Sequence, residues 1–185
     1  MFDHFGFLAP FYEKFIKPKS PDQLSKLLDL PTPGKLLDVG GGTGRVSGFF
    51  IDEVDQVIIA DLSEKMLNES LGKEGLEPIC SHAEKLPFPD EFFERVIMVD
   101  ALHHVCDQKE AAQELWRVLK PGGMIIIEEP DIRHWAVKLV ALAEIIALMR
   151  SHFLSPGKIK GLYQLNTNDI QIHRDGHVAW VVILK

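Results

Sequence analysis

Leu36-Leu37-Asp38-Val39-Gly40-Gly41-Gly42-Thr43-Gly44-Arg45-Val46-Ser47 decides how this chain folds. Leu36 to Val39 is apolar almost without interruption, which reads as a short strand buried on both faces. Gly40, Gly42 and Gly44 then recur at alternate positions and turn the chain, and the residues to about Ile51 read as a helix. Glycine permits positive φ and lets a ligand approach the backbone closely. The start of a helix adds N–H groups with no partner inside the helix. The alternation continues outward. Gln56-Val57-Ile58-Ile59-Ala60 is a second strand ending in Asp61, after which Ser63 caps a helix holding Met66 and Leu67. Glu77-Pro78-Ile79-Cys80 is a weaker third strand whose proline suits an edge. Arg95-Val96-Ile97-Met98-Val99 is a fourth. Asp107-Gln108-Lys109-Glu110 has capping-box spacing and opens a helix to Leu119. Pro121-Gly122-Gly123 stops it, and Met124-Ile125-Ile126-Ile127 is a fifth strand. Apolar strands alternating with helices predict an α/β fold with a mostly parallel sheet covered on both faces.

The flanks differ from this core. Before Pro18 the chain is rich in aromatics (Phe2, Phe5, Phe7, Phe11, Tyr12, Phe15), and Asp22 to Leu30 reads as a short helix. Trp135 to Phe153 reads as one long apolar helix, followed by a loop with Pro156, Gly157 and Gly161. Arg174-Asp175-Gly176 between two apolar runs predicts a closing antiparallel hairpin. The expected organisation is a single domain over 1–185: an N-terminal helical cap (1–34), a core (35–130), and an apolar helix with the hairpin (131–185).

Composition narrows the function. In 185 residues, 46% are hydrophobic and 25% charged, as expected of a globular protein with a real core. The net charge of −7 argues against nonspecific binding to nucleic acid or to an anionic membrane. Two cysteines, Cys80 and Cys106, make neither a disulfide framework nor a cysteine zinc site. The N-terminus lacks the pattern of a signal peptide. Lys138 and Glu144 interrupt the longest apolar stretch, so no stable membrane insertion is expected. The expected location is cytoplasmic.

The glycine turn invites a nucleotide, and three readings compete. A Walker loop requires Gly-Lys-Ser/Thr, which is absent. The dinucleotide fingerprint is nearly met, with Ser47 where its last glycine or alanine belongs, so a nicotinamide-dependent reductase stays an alternative. The third reading starts from Asp38, two residues before Gly40. A carboxylate there repels a pyrophosphate and accepts a hydrogen bond from an ammonium. That favours a cationic nucleoside such as S-adenosylmethionine. Asp61, ending the next strand, is placed to take ribose hydroxyls.

Five blocks in order then carry a resemblance: Leu36 to Gly44, Ala60-Asp61-Leu62-Ser63, Ala83-Glu84-Lys85-Leu86-Pro87-Phe88-Pro89-Asp90, Val99-Asp100-Ala101-Leu102-His103-His104-Val105, and Leu119-Lys120-Pro121-Gly122-Gly123-Met124. Over about residues 35–130 the chain resembles the class I S-adenosylmethionine-dependent methyltransferases. The subgroup it resembles most includes the ubiquinone/menaquinone biosynthesis C-methyltransferases. The resemblance implies a Rossmann-like, doubly wound, seven-stranded sheet ending in the antiparallel hairpin. It implies that Gly40, Gly42 and Gly44 follow the methionine and ribose of the cofactor. Asp38 would help hold the amino end, Asp61 the ribose, and Leu62 would pack on adenine. Ala83 would offer its backbone to the adenine ring. Asp100, Ala101 and Leu102 would line the methionyl side. His82 stands where the family often has an acid reading the adenine amino group, with Glu84 a substitute for it. Tyr12 and its neighbouring rings would shield the sulfonium by cation–π contact.

His103 and His104 follow the fourth strand at the expected mouth and are the candidate general bases. A loop-capping role is the alternative. Glu128, Glu129, Asp131 and His134 follow the fifth strand, where they could orient a substrate or serve as a base. No metal is expected, since their spacing fits no local ligand pattern. The apolar helix is core, lid, membrane-surface contact or the face of a homodimer. The expected function is methyl transfer to a small, apolar acceptor. A noncatalytic partner retaining the methyltransferase fold is the other alternative.

Overall fold

In the computed structural model, residues 21–146 and 151–185 are described, the side chains at 140 and 143–146 excepted. The aromatic segment with Tyr12 lies outside them. In chain order the elements are α1 (Pro21–Leu27), β1 (Lys35–Val39), a 3-10 turn (Ser47–Phe50), β2 (Gln56–Asp61), α2 (Glu64–Ser70), β3 (Leu76–Cys80) and β4 (Phe93–Val99). A second 3-10 turn (Leu102–His104), α3 (Gln108–Val118), β5 (Leu119–Pro130), α4 (Trp135–Ile146), α5 (Pro156–Tyr163), β6 (Ile170–Asp175) and β7 (Val178–Leu184) follow.

Among the described residues the sheet has seven strands in the order β3-β2-β1-β4-β5-β7-β6. The first five pair in parallel, and β7 runs antiparallel to both β5 and β6. This is the doubly wound, Rossmann-like arrangement with a closing hairpin. Its strand order reverses between β1 and β4, which is where open α/β sheets bind ligands.

The strands are apolar throughout because both faces are buried. Leu37, Val39, Val96, Met98, Ile125 and Ile127 face a core completed by Ala112 and Leu115 of α3 and Ile159 and Tyr163 of α5. Their neighbours Leu36, Ile97 and Ile126 face a second core with Leu24 of α1, Phe50, and Leu67 of α2. Truncating a fully buried member such as Leu37 to alanine costs about 2–5 kcal/mol.

Four local expectations are corrected. The residues after the glycine loop form only the 3-10 turn Ser47–Phe50, not a longer helix. Ser63 occupies the cap position of α2 but makes no side-chain cap; instead its N–H donates to Asp61 Oδ1 at 2.8 Å. The long apolar helix is described as helical for Trp135–Ile146, and residues 151–155 carry no helix. The stretch Pro156–Tyr163, expected as loop, is α5. Proline fits the first turn of a helix, where its missing N–H has no partner to lose, so Pro156 starts the element it was expected to break. Asp107 behaves as expected, accepting from Lys109 N and Glu110 N at the start of α3.

Candidate active site

The glycine loop is shaped by its own packing. Gly40, Gly42 and Gly44 have φ of 74°, 54° and 72°, in the left-handed region that side chains disfavour. Space is closed to them as well: a methyl on Gly40 would sit 2.5 Å from Ala101 Cβ, and one on Gly44 2.5 Å from Leu76 Cδ1. The loop therefore lies flat against the strand ends, with Gly42, Thr43 and Gly44 buried and Gly40 and Gly41 partly exposed.

Beneath it, Asp38 is 1% exposed. Among the described residues neither carboxylate oxygen has a partner in bonding geometry, and neither has Ser47 Oγ beside it. Burial pushes the acid up to about 7; the Ser47 hydroxyl and the Arg45 charge favour the anion, and Asp61 opposes it. An orphaned carboxyl in the core is costly, so its presence directly under a ligand-type loop calls for a polar occupant. Asp61 is anchored differently. Its oxygens accept from Gly42 N at 2.9 Å and Ser63 N at 2.8 Å, which ties the loop to the end of β2 and holds the charge a diol recognises.

Across the reversal point, Arg45 donates to Asp100 Oδ2 at 3.1 Å, with side chains 8% and 22% exposed. Asp100 adopts φ +52°, tolerated by aspartate, and its N–H donates to Glu128 O at 3.0 Å. The β1 and β4 loops are thus stitched together by an ion pair and by the Gly40–Ala101 contact. Ala101 is half-buried, whereas the Leu102 side chain is in the core and only its backbone reaches the site.

On the other side, the chain after β3 runs beside the end of β2, with Ser81 N donating to Asp61 O at 2.9 Å. Leu62 is 59% exposed, a large apolar side chain left open at the rim next to Asp61. Ala83 is half-buried and packs against the core. The His82 side chain is largely exposed and 4.0 Å from Glu84. Glu84 accepts from Cys106 N and Asp107 N, each at 3.2 Å, so its carboxylate fixes the approach to α3.

At the mouth the two histidines part company. His103 Nδ1 lies 2.5 Å from Glu129 Oε2, with side chains 6% and 4% exposed, and the other Glu129 oxygen accepts from Leu102 N at 2.7 Å. The His103 ring is stacked on Phe153 (4.2 Å, 14°) and lies 4.0 Å from the His104 ring. His104 is driven down to about 3 by burial and by the neighbouring His103, so it is neutral near pH 7. Its Nδ1 is 3.3 Å from Ser151 Oγ. The apolar run predicts a strand ending at Ile127, but β5 runs to Pro130 and holds Glu128 and Glu129; of these acids and Asp131, Glu129 is bonded to this pair. Glu128 accepts from Trp180 Nε1 at 2.7 Å, and Asp131 is engaged by Arg133 and Arg174. Burial disfavours ionised Asp131, but the Arg133 hydrogen bond outweighs it and holds this carboxyl below its usual range. No cluster of three metal-type ligands occurs among the described residues.

Sequence reasoning passes over three contributors. Arg45 reads as the start of a helix, Trp180 as part of a hairpin strand, and Phe153 as the tail of a helix. Only the acid after each strand was a usable signal, and Glu129 is its product.

This geometry defines a class: a doubly wound sheet whose glycine loop, flanked by Asp38 and Asp61, is built for a cationic nucleoside. Residues 37–127, about half of the chain, match the family described as a methyltransferase domain. The chain carries a class I S-adenosylmethionine-dependent methyltransferase domain. It is related to the ubiquinone/menaquinone biosynthesis C-methyltransferase UbiE, being 39% identical to that of Coxiella burnetii over 111 residues, 54% of this chain and 44% of that one. The Vibrio vulnificus UbiE is 36% identical over 110 residues, 52% of this chain and 42% of that one. The chain thus matches less than half the length of these relatives. A Thermotoga maritima S-adenosylmethionine-dependent methyltransferase shares the fold, with TM-score 0.82, 21% identity and 98% of each chain covered.

The described residues fit S-adenosylmethionine. The orphaned Asp38 carboxyl suits the amino end, the anchored Asp61 the ribose, and the open Leu62 an adenine face. Tyr12 lies outside the described residues, and no cation–π contact is assigned to it.

Proposed function

We propose that the protein transfers a methyl group from S-adenosylmethionine to a small acceptor by in-line displacement. The observation that carries this reading is the placement of Asp38 and Asp61 on either side of one glycine loop at the reversal of the strand order. Asp61 suits the ribose of either nucleotide, but the Asp38 carboxyl beneath the loop suits an ammonium and not a pyrophosphate, so the reductase alternative is dropped. The cofactor arrives activated, its sulfonium making the methyl electrophilic. The task left to this chain is alignment and exclusion of water.

Asp38, Gly40, Gly42 and Gly44 hold the amino-acid and ribose portions, Asp61 the ribose diol, and Leu62 with the backbone of Ala83 the adenine. His82 borders the adenine pocket, and Asp100 and Ala101 close the methionyl end. The carbon acceptors named for the UbiE relatives support a carbon nucleophile. Trp135, Leu139 and Leu142, exposed in one stripe on α4, support an apolar one. A second copy of the chain is the other occupant of that stripe, separated by sedimentation velocity. No helix among the described residues is long and apolar enough to cross a membrane. The two exposed free thiols support a reducing compartment, with the chain acting as one cytoplasmic domain.

Calorimetric titration with S-adenosylmethionine, S-adenosylhomocysteine and NADH tests the reading. Micromolar binding of the first two alone supports it; binding of NADH alone defeats it.

A further inference from the structure

We propose that His103, oriented by Glu129, is the general base of this site, and that the acceptor is one that must lose a proton to be methylated: a hydroxyl compound or a carbon acid. This rests on the methyl-transfer reading above. His103 and Glu129 form a buried pair, 2.5 Å apart at the carboxyl edge of the sheet. Glu129 comes from β5 and His103 from the turn after the adjacent strand β4, so two neighbouring strand ends deliver them to one point. The Glu129 oxygens accept from Leu102 N and face His103 Nδ1, which places the Nδ1 proton between the pair and the basic lone pair on Nε2. The ring cannot swing freely, since Phe153 and His104 pack on it, and the turn that carries it is held by His152 N donating to the His103 backbone carbonyl at 2.7 Å.

Among the described residues, Glu129 from β5, His104 from its own turn and Phe153 face the ring. His104 is neutral near pH 7 and lowers no barrier to proton uptake by attraction. Glu129 therefore supplies the charge that stabilises a His103 imidazolium. A site whose acceptor was already a lone-pair nucleophile, such as a tertiary amine or a thiolate, has no use for this arrangement. For an O–H or C–H acceptor the balance closes. The acceptor proton passes to His103 Nε2, the freed electron pair forms the bond to the methyl carbon, and the old bonding pair leaves with sulfur. The imidazolium then returns its proton to solvent. Glu129 is a positioning residue and His103 the catalytic one.

The test needs no known acceptor. Nitrogen-15 NMR of the complex with S-adenosylhomocysteine reads the tautomer and the protonation midpoint of His103 in the full chain. The expected result is an Nδ1–H tautomer, with a midpoint that falls by about 1–2 pH units in Glu129→Gln and recovers in part in Glu129→Asp. An Nε2–H tautomer in the unaltered protein, or a midpoint unmoved by Glu129→Gln, overturns the proposal. Failure of the unaltered protein to bind S-adenosylhomocysteine would instead defeat the reading on which it rests. With S-adenosylmethionine, catechols, hydroquinones and β-diketones are compared with tertiary amines and pyridines. Turnover confined to the first group, with kcat lowered about a hundredfold in His103→Gln and KM little changed, supports the assignment. Turnover of a tertiary amine that is indifferent to His103→Gln contradicts it.

Discussion

Asp38 is a carboxylic acid that the fold keeps away from both water and partners. Its native value near 7 lies above the ordinary 3.8, so in the pH range between them the native state binds the extra proton. By linkage, its stability contribution is fully present below about 4 and is lost as pH rises through 7. A shift of that size is worth on the order of 4 kcal/mol. Asp38→Asn should therefore flatten the fall in stability between pH 4 and 8 and gain stability at pH 8. Urea unfolding at both pH values reads this, and a parallel loss in both proteins would count against a neutral Asp38. Asp61→Ala should act on binding. It removes charge-assisted bonds worth about 1.5–3 kcal/mol each, so calorimetry should find S-adenosylhomocysteine affinity down at least tenfold. Unchanged affinity would remove Asp61 from the site.

At the scale of elements, the site is a junction of strand ends and loops, and the glycine loop is held from both sides. Gly40→Ala would press a methyl into Ala101 and meet an unfavourable φ, so it should weaken cofactor binding and cost stability of about 1–3 kcal/mol. Thermal unfolding and calorimetry together check this, and an unaltered protein would mean the two loops are not in contact. The βα pattern and the hairpin were legible because apolar runs and turn residues act locally. The legible part of the site was whatever sits at a fixed offset from a strand: Asp38, Asp61, the histidine pair. The Arg45–Asp100 and Trp180–Glu128 contacts join residues 55 and 52 positions apart, and no local pattern encodes them. Pro156 and Gly157 misled for a related reason: a breaker inside a helix is a starter at its first turn, and only the flanking packing of Ile159 and Tyr163 decides which.

For the whole molecule, a ligand that binds the native state alone stabilises it. At a hundred times Kd the gain is about 2.7 kcal/mol, which for a domain of this size raises Tm by roughly 5–11 °C. S-adenosylhomocysteine should produce that rise and NADH should not. The acidic net charge and the Asp38 carboxyl, which a bound ammonium would draw into its anionic form, act in the same direction, admitting a cationic nucleoside and opposing a pyrophosphate. That preference separates methyl transfer from nicotinamide chemistry at this site. Its most direct test is calorimetric titration of the full chain with S-adenosylmethionine and S-adenosylhomocysteine, with NADH as the control. Micromolar binding of the first two, with none of the third, is the predicted result; NADH binding in their place, or no binding of any, would contradict it.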